Sequence, residues 1–597
     1  MRPVSMALSM PLPIPLHTSV PKVILAGRKL PPSSRSRRSV SSQVQSMPTV
    51  EMSDQTIARR SADYQPPIWS FEFIQSLKTE FVGEAYSRRR DKLKEDVRVM
   101  LQEKVDEDQL ELIDHLQRLG LSYHFEDEIK KSLDRIYSKN RGNYRLKKDS
   151  LYATALEFRI LRQHGYNITQ EIFNGFRDES GNLKACLGED YKGMLYLYEA
   201  SFHSVEGESI LDAAKAFATK HLKEYIKLNQ GKDMYLCTLV SHALELPLHW
   251  RMLRMEARWF TEVYQQSPHV NPILLDLAKL DFNLVQATYQ EDLKHASRWW
   301  KRTGLGEKLG FIRDRLVENF LWPIGELYEP YYGYYRRMAT QVNTLITTID
   351  DIYDVYGTFD ELKLFTKAIE RWDINRIEKL PDYMKLCFFE LHNSINQMAA
   401  DIFRKQGLNI LPYSKKVWTD LCKAYLLEAK WYHTGYTPTL QEYLDNAVVT
   451  IAAPVILHFA YVLVSNQISR EGLECFEQEY PNVIHCSAML LRLADDLETS
   501  TDEMKRGDVP KSIQCYMNET GASEGDAHEY IWYLIDITWK KMNKDRLKTS
   551  SFPPTLIETA MNLARMAQFM YLYGDGHASQ DQVTRNRILS LVVNPIS

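Results

Sequence analysis

The sequence lacks the features typical of nucleic-acid binding, of a disulfide framework or of a zinc site. Its formal net charge is −4, so no excess of basic residues favours nucleic acid. Its seven cysteines are scattered, odd in number and form no Cys-x-x-Cys pair, which indicates reduced, buried thiols. There is no glycine-rich phosphate loop, no strand-like alternation of useful length and no internal repeat of fixed period.

An uninterrupted membrane-spanning run is also absent. Only residues 447–464 approach the required length, and Pro454 and His458 interrupt them. We therefore predict a buried core helix rather than a membrane span. Because a proline inside a helix frees a backbone carbonyl, we expect a kink at Pro454. A kinked apolar helix could form one wall of an apolar pocket, although kinked core helices without such a role are commoner.

Acidic residues are missing from the first fifty positions, which contain no Asp or Glu but ten Ser and seven Lys or Arg. A Ser-rich, Arg-containing leader without acids is typical of an organellar transit peptide. Prolines interrupt residues 10–16, so no apolar core of secretory-signal length precedes Pro48. We predict a transit peptide, with an ordinary disordered tail as the alternative.

Beyond about residue 69 the apolar residues recur with a helical period nearly throughout. The clearest segments are residues 105–121, 213–226 and 272–300, each with charged residues between the apolar ones. The chain is therefore predicted to be all-α. Two prolines and several polar residues at 265–272 indicate a boundary between helical stretches, and the acidic clusters described next lie after it.

Three carboxylates, Asp350, Asp351 and Asp354, end a helical run that begins near Tyr335. Asn343, Asp350 and Asp354 share one polar stripe, because they are separated by seven and four residues. Unpaired carboxylates on a mostly buried helix are costly, so a cation should lie against them. Such oxygen ligands suit Mg²⁺ or Mn²⁺ bound together with substrate phosphates. Taken alone, such a motif is more often a solvated acidic helix end.

A second acidic stretch presents a cation and three oxygen donors on one helical face. These residues follow one another at spacings of three, four and four: Arg492, Asp495, Thr499 and Glu503. The hydroxyl and the two carboxylates predict a second metal site opposite the first. Lys511 follows shortly afterwards, beside the same face.

Arg313 and Arg315 lie one residue apart before the first acidic stretch, and such a pair can hold phosphate oxygens. A surface pair balanced by Asp314 is the commoner fate of an isolated Arg-Asp-Arg. Acids on two helices together with Arg and Lys predict a diphosphate held by bridging divalent metals. Nearby aromatic residues, including Trp322 and Tyr571, suit cation–π stabilisation of a carbocation, although one ring alone is more often core.

Together these stretches resemble the motifs of plant class I terpene synthases of the monoterpene type. Residues 350–354 look like DDxxD, and residues 495–503 look like the second metal motif, (N/D)DLx(S/T)xxxE. Arg59-Arg60 with Trp69 resembles the RR(x)8W signature, and residues 313–315 resemble the RxR that precedes DDxxD. The resemblance covers about residues 59–597, and the ordered set is far more specific than any one motif.

The resemblance implies a two-domain all-α fold, with an N-terminal relict α-barrel and a C-terminal class I terpenoid synthase helical bundle. We expect a plastid transit peptide at 1–50, the RR(x)8W strand at 51–70, the N-terminal domain at 71–266 and the catalytic domain at 267–597. It also implies location in the chloroplast stroma, a monomer or weak homodimer, and no nucleic-acid or membrane partner. The absence of a DxDD motif disfavours cyclisation started by protonation.

By the family's pattern, three Mg²⁺ or Mn²⁺ ions would be held by Asp350, Asp351, Asp354, Asp495, Thr499 and Glu503. The expected contacts of the prenyl diphosphate are Arg313, Arg315, Asp350, Asp354, Arg492, Lys511, Trp322 and Tyr571. The segment bearing Arg59 and Arg60 is expected to fold over the site and assist catalysis there. Asn343 and His577 match positions that the family uses near the carbocation, His577 as a candidate proton acceptor.

The implied reaction is that of a lyase, which ionises geranyl diphosphate, isomerises it to linalyl diphosphate and closes a ring. The expected product is a cyclic monoterpene or monoterpenol of the α-terpineol, 1,8-cineole or limonene type. Alternatives are an acyclic monoterpene synthase forming myrcene, ocimene or linalool, a sesquiterpene synthase, or an isoprene synthase. Asn343 and Leu491 disfavour the last, because similar isoprene synthases carry bulky Phe there. Rivals from other classes are an inactive prenyl diphosphate-binding protein and a metal-dependent phosphohydrolase.

Overall fold

Helices account for nearly all the regular structure, as the apolar period predicts. The structure, a computed structural model, describes residues 59–597 except 60, 63, 141–149, 230–233, 478–479, 506–508, 549–551 and 578–581. The expected transit peptide, Arg60 and the side chain of Glu503 lie outside the described residues. Over the described ranges, pairing of extended backbone is limited to two isolated bridges, so the all-α prediction is confirmed.

The N-terminal half is built around helices that are buried on most sides. Its helices are α1 (Phe71–Ser76), α2 (Glu84–Glu103), α3 (Asp106–Arg118), α4 (Glu126–Asn140), α5 (Leu151–Gln163), α6 (Tyr191–Ser201), α7 (Ser209–Leu228), α8 (Met234–Glu245) and α9 (Leu253–Tyr264). Almost every residue of α5 is buried, and α6 packs between α5 and α7. Helices α5 and α6 therefore form the centre of this half.

The C-terminal half begins with the long helix α10 (Pro272–Thr303), which Asn271 caps by accepting from the backbone N–H of Ile273 at 2.9 Å. Proline is favoured in the first helical turn, because its missing N–H would have no partner there. The later helices are α11 (Leu305–Lys308), α12 (Leu316–Glu326), α13 (Gly333–Asp351), α14 (Phe359–Arg371), α15 (Asp382–Gln406), α16 (Leu411–Thr434), α17 (Leu440–Thr450), α18 (Ala453–Val464), α19 (Arg470–Glu474), α20 (Asn482–Lys505), α21 (Ser512–Thr520), α22 (Glu524–Arg546), α23 (Pro554–Tyr571) and α24 (Gln582–Ile588).

The two halves share their apolar cores. Trp69 and Ile74 pack into the same buried cluster as Phe320 and Leu345 of the C-terminal half. A second cluster likewise joins residues of α5 to α7 with residues of α17, α20, α22 and α23. The chain from Ala58 to Ser597 accordingly forms one unit. The boundary predicted at 265–272 falls on the loop between α9 and α10, and the domain limits themselves stay a prediction.

The prediction of one kinked helix over residues 447–464 is wrong. Helix α17 ends at Thr450, and α18 starts at Ala453, with Ala452 between them in the left-handed region at φ 62°. Pro454 lies in the first turn of α18, where proline is tolerated. In the described part of the chain, Leu440–Val464 is the one stretch long and apolar enough to cross a membrane, but most of it is buried in the protein.

Candidate active site

A cavity of about 900 Å³, counted to its open mouth, lies in the C-terminal half. Helices α12, α13, α16, α18, α20 and α23 contribute to its walls. The structure brings most of the residues predicted from sequence to this cavity, namely Arg313, Trp322, Asn343, Asp350, Asp354, Arg492, Asp495, Thr499, Lys511, Tyr571 and His577. One cavity therefore collects carboxylates from two helices, three cations and several aromatic rings.

The first acidic motif spans the end of α13 and a single π-helical turn, Ile352–Tyr356. Turns of this type are frequent at functional sites. Asp350 lies on α13 and Asp354 on the π turn, and both line the cavity. Asp350 accepts a hydrogen bond from the Arg313 guanidinium and another from the Tyr425 hydroxyl.

Asp351 does not line the cavity, contrary to its expected role as a metal ligand. It is fully buried and accepts the backbone N–H of Arg313 at 2.6 Å, while the Arg313 Nε lies 2.8 Å from its other oxygen. The Tyr64 hydroxyl also bonds to it. Burial raises the pKa of Asp351 to about 6, and Arg313 opposes that rise. Consecutive helical residues point in different directions, so we expect Asp351 to position Arg313 instead.

The opposite wall is α20. Arg492 Nη1 donates to Asp495 at 2.9 Å, and the Tyr571 hydroxyl bonds to the same carboxylate. Thr499 lines the cavity one turn further along, and its hydroxyl donates to the backbone carbonyl of Asp495 at 3.0 Å. Burial lowers the pKa of Arg492, but Tyr443 and the neighbouring carboxylates outweigh it and keep that pKa well above its ordinary value.

Arg315 was expected to contact substrate, but its side chain does not line the cavity. The buried guanidinium donates to the carbonyl of Asp314 at 3.0 Å and to the carbonyl of Gln65 at 3.1 Å. Arg313 and Arg315 would share a face of an extended segment, because they are two residues apart. The backbone at Arg315 is not extended (φ −127°, ψ 41°), and its side chain lies toward Gln65 of the N-terminal segment. Arg315 therefore holds that segment against the bundle, whereas Arg313 faces the cavity.

Arg59 lies beside the cavity rather than in its lining. Its guanidinium donates to both carboxylate oxygens of Glu361 at 2.9 Å and to the carbonyl of Tyr356 at 3.0 Å. It also lies over the rings of Tyr356 and Tyr383, 4.5 and 5.1 Å from their centroids. These contacts fix the N-terminal segment beside the first acidic motif. The catalytic role predicted for Arg59 stays a prediction.

The sequence matches two family descriptions that agree with this architecture. Residues 301–541 match the metal binding domain of the terpene synthase family, and residues 68–244 match the terpene synthase N-terminal domain.

The chain belongs to the terpene synthase family.

Several plant proteins are similar to this synthase over most of its length. It is 60% identical over 547 residues to Terpene synthase 10 of Ricinus communis, covering 91% of this chain and 99% of that one. It is 60% identical over 541 residues to a chloroplastic myrcene synthase of Quercus ilex, covering 90% of each. It is 59% identical over 544 residues to a (-)-alpha-terpineol synthase of Vitis vinifera, covering 91% and 92%. The protein is thus a plant monoterpene synthase, a lyase acting on a prenyl diphosphate.

Solved structures show the same fold. A limonene synthase crystallised with 2-fluorolinalyl diphosphate superposes with a TM-score of 0.88 at 43% identity, covering 90% of this chain and 100% of that one. An isoprene synthase from grey poplar leaves, in complex with three Mg²⁺ ions and dimethylallyl-S-thiolodiphosphate, gives 0.82 at 47% identity, covering 89% and 99%. The predicted two-part helical terpenoid synthase fold is confirmed.

The acidic walls of the synthase offer oxygen donors of the kind that Mg²⁺ and Mn²⁺ prefer. Among the residues that the structure describes, no three carboxylate, His or Cys side chains are already grouped closely enough to hold a metal ion. Asp350 is instead paired with Arg313, and Asp495 with Arg492. The donor chemistry fits a divalent metal, and this pairing lowers the repulsion between carboxylates before ions bind.

His577 lines the cavity of the synthase. Trp322 Nε1 donates to its Nδ1 at 3.4 Å, and Thr347 Oγ1 lies 3.3 Å from its Nε2. Burial, together with the charges of Arg313 and Arg315, lowers the pKa of His577 to about 3. The imidazole is therefore neutral at ordinary pH, and its one basic lone pair, on Nδ1, accepts from Trp322.

Asn343 is 5% exposed, and its side chain is aimed into the cavity. Neither its amide nitrogen nor its amide oxygen has a hydrogen-bond partner within the described residues. Buried amides in native proteins are nearly always bonded, so a group within the cavity should be the partner. The alternative of a core Asn bonded to a neighbouring carbonyl does not occur in this structure.

Sequence reasoning missed several polar residues that line the cavity: Asn319, Tyr425, Glu428, Thr450 and Asp575. Tyr425 and Glu428 are three residues apart on α16 and therefore share one face of that helix. An acidic residue on a face with buried aromatic residues was the sequence signal that could have indicated a site there. The Thr450 hydroxyl donates to Glu428 at 2.9 Å, and burial raises the pKa of that carboxyl. Asn319 and Thr450 could not be predicted as cavity residues from the sequence, because they belong to no motif and reach the cavity only through the packing of helices distant in the chain.

Proposed function

We propose that this synthase converts geranyl diphosphate into a cyclic monoterpene or monoterpenol, with α-terpineol as the first candidate. The observation that carries the proposal is the unpartnered amide of Asn343, which faces the same cavity as both acidic walls. A diphosphate would bind between those walls, and its ten-carbon chain would extend toward Asn343. The relatives named as monoterpene synthases support this substrate class.

The diphosphate group would be held by Arg313, Arg492 and Lys511, which all line the cavity. Arg313 and Arg492 are fixed by ion pairs with buried carboxylates, so little side-chain freedom is lost when they bind. Diphosphate becomes a good leaving group only when its developing charge is stabilised, and preorganised cations do this without reorganisation during the reaction. These residues would therefore promote ionisation as well as binding.

Three Mg²⁺ or Mn²⁺ ions would be held by Asp350 and Asp354 on one wall and by Asp495, Thr499 and Glu503 on the other. Such ions supply Lewis-acid stabilisation of the departing diphosphate. Asp351 is not part of this ligand set, because its carboxylate is fully buried against Arg313. The isoprene synthase solved with three Mg²⁺ ions supports the number of ions.

After ionisation the cavity must stabilise and then quench a carbocation. Trp322 and Tyr571 present aromatic rings to it, and such rings attract cations. His577 would accept the proton in a deprotonation that gives limonene, because a carbocation is acidic enough to protonate even a weakly basic imidazole. The Asn343 amide would instead hold a water molecule near the α-terpinyl cation. Water capture then gives α-terpineol and, after a further ring closure, 1,8-cineole.

An acyclic product is the second candidate. The relative from Quercus ilex that is 60% identical is named a myrcene synthase, and myrcene forms by proton loss without ring closure. An isoprene or sesquiterpene synthase is less favoured. Asn343 and Leu491 both line the cavity, which leaves more room near the metals than the bulky Phe residues expected of an isoprene synthase.

Residues 1–50 are part of the proposal as a plastid transit peptide that delivers the synthase to the stroma. Relatives named as chloroplastic support a plastid location. The mature protein would act as a monomer or weak homodimer, without a membrane or nucleic-acid partner. Import into isolated plastids tests the leader, and a reporter that stays outside when fused to residues 1–50 would contradict it.

The substrate proposal is tested by comparing kcat/KM for geranyl, farnesyl and dimethylallyl diphosphates at saturating Mg²⁺. We expect geranyl diphosphate to be preferred by about a hundredfold or more, because the cavity stabilises only a transition state that fits it. A preference for either of the other two substrates would overturn the proposal. Release of free geraniol as the main product would indicate a phosphohydrolase instead.

A further inference from the structure

Asp496 belongs to the second acidic motif but is fully buried and does not line the cavity, although its neighbour Asp495 does. The two side chains diverge because consecutive helical residues point about 100° apart. A buried carboxylate is costly unless donors surround it. The structure provides donors from three different helices.

Two of these donors are side chains, and the third is a backbone amide. The Tyr443 hydroxyl on α17 donates to Asp496 Oδ1 at 2.9 Å, and Arg492 Nη1 on α20 lies 3.3 Å from the same oxygen. The backbone N–H of Ser512, the first residue of α21, donates to Asp496 Oδ2 at 3.1 Å. Asp496 therefore joins α17, α20 and α21 at one point.

Two of these contacts lead directly to cations that line the cavity. Arg492 donates to Asp496 itself. Lys511 immediately precedes Ser512, so the hydrogen bond from the Ser512 N–H to Asp496 fixes the backbone from which the Lys511 side chain extends into the cavity wall. The Lys511 N–H in turn donates to Gln514 Oε1 at 3.2 Å. We propose that Asp496 is a positioning residue that places both Arg492 and Lys511 at the cavity wall.

Arg492 contacts Asp495 as well as Asp496, at 2.9 and 3.3 Å. If Asp495 exchanges Arg492 for another partner, Asp496 still binds the Arg492 guanidinium and keeps it in place. This arrangement lets one carboxylate serve the cavity while its neighbour keeps the cation oriented. The inference rests on the proposed function, in which Arg492 and Lys511 bind diphosphate.

The first test replaces Asp496 with Asn, which keeps the shape but removes the charge and presents an N–H to the donors. With Asp496→Asn we expect the inhibition constant of inorganic diphosphate and the KM for geranyl diphosphate to rise about tenfold or more. The Mg²⁺ concentration for half-maximal activity should stay unchanged, whereas Asp495→Asn should raise it. An unchanged diphosphate constant, or a rise in the Mg²⁺ requirement equal to that of Asp495→Asn, overturns the proposal.

The second test leaves Asp496 in place and removes the N–H of Ser512. Ser512 is the first residue of α21, and proline is tolerated at the first helical position. The residue before a proline should have an extended backbone, and Lys511 already has one, at φ −96° and ψ −174°. Ser512→Pro should weaken inhibition by diphosphate about fivefold or more. Ser512→Ala is the matched control, because the Ser512 hydroxyl has no hydrogen-bond partner within the described residues. Equal inhibition constants for the two variants overturn the role assigned to this contact, even if Asp496→Asn does not fold.

Failure of the proposed function gives a different result. If Arg492→Ala and Lys511→Ala leave diphosphate inhibition unchanged, the two cations do not bind diphosphate, and both the function assigned to them and this inference fail. If those two variants weaken inhibition while Asp496→Asn and Ser512→Pro do not, the diphosphate site stands and only the positioning role of Asp496 fails.

Discussion

Arg59 and Glu361 are joined by two hydrogen bonds of 2.9 Å, although 302 residues separate them in the chain. Glu361 also accepts from the Tyr383 hydroxyl and from the backbone N–H of Thr358, each at 3.0 Å. Burial opposes ionisation of Glu361, but the Arg59 guanidinium lowers its pKa to about 2. Because Thr358 follows the π turn that carries Asp354, the ion pair connects the N-terminal segment with the first acidic motif.

Loss of this ion pair should impair the isomerisation step more than the later steps. We expect Glu361→Gln to reduce turnover of geranyl diphosphate about tenfold, and turnover of linalyl diphosphate much less, if the N-terminal segment that bears Arg59 assists isomerisation.

Two N-terminal deletions test the same segment. Deleting residues 1–50 should spare activity, while deletion through Arg60 should reproduce the effect of Glu361→Gln. Steady-state rates on the two substrates provide the measurement.

The control for this prediction is Asp360→Asn, since Asp360 is exposed on the same helix and pairs with Lys363 at 3.0 Å. It should leave both rates unchanged. Equal losses on geranyl and linalyl diphosphates after Glu361→Gln would rule out a specific role in isomerisation.

Removing a carboxylate from either acidic wall should greatly slow ionisation without unfolding the protein. Asp350→Ala, and likewise Glu503→Ala, should lower kcat/KM by about a thousandfold or more, because the lost contact stabilises the departing diphosphate. Circular dichroism should show unchanged helicity. Asp382→Ala is a suitable control, since this Asp is almost fully exposed on α15. Wild-type activity that survives excess EDTA would contradict the role of metal ions.

The proposed contact between the Asn343 amide and a water molecule should determine the ratio of alcohol products, formed by water capture, to hydrocarbon products, formed by proton loss. Asn343→Leu removes the amide at similar size, so we expect alcohols to give way to limonene while ring closure continues. Asn343→Phe adds bulk as well and should shift the products toward acyclic terpenes. Gas chromatography of the volatiles measures both changes. An unchanged ratio of alcohol to hydrocarbon in Asn343→Leu would exclude the proposed water contact.

Much of the site was predictable because its residues follow helical spacings within single elements. Asp350 and Asp354, or Asp495 and Thr499, share a face whatever the rest of the chain does. The roles of Asp351 and Arg315 could not be predicted, since the motif gives residue types and not the direction in which packing turns each side chain. The partner of Arg59 is Glu361, and only the folded chain brings the two together.

The fold was likewise predictable where local signals are strong. Helix α10 begins at Pro272, where the sequence predicts a start, because proline and a capping Asn act locally. The break at Ala452 was not predicted. Ile451, Ala452 and Ala453 are all apolar, and the left-handed backbone of Ala452 is maintained by surrounding packing rather than by a Gly or Asn.

Glu326 should make the stability of the fold depend on pH. Its side chain is fully buried and bonded to the Tyr335 hydroxyl, and burial raises its pKa to about 7. A folded pKa above the unfolded value stabilises the protein below about pH 4.5, and this contribution is lost as the pH rises through about 7. Glu326→Gln avoids the loss, which reaches about 3 kcal/mol at pH 8.

The measurement is the difference in Tm between Glu326→Gln and wild type at pH 5 and at pH 8. We expect the variant to gain stability relative to wild type as the pH rises. Glu291→Gln is the control for the same substitution at a largely exposed carboxylate, which pairs with Lys294. A Glu326→Gln difference that changes with pH no more than the Glu291→Gln difference would show that Glu326 ionises freely in the fold.

We propose that this synthase ionises geranyl diphosphate and closes a ring within the cavity between the two acidic walls. The most direct measurement is chiral gas chromatography with mass spectrometry of the volatiles formed from geranyl diphosphate and Mg²⁺ by the chain lacking residues 1–50. We predict mainly cyclic monoterpenes or monoterpenols, α-terpineol first, with one diphosphate released for each molecule formed. A product mixture dominated by myrcene, ocimene or linalool would contradict ring closure and the role assigned to Asn343.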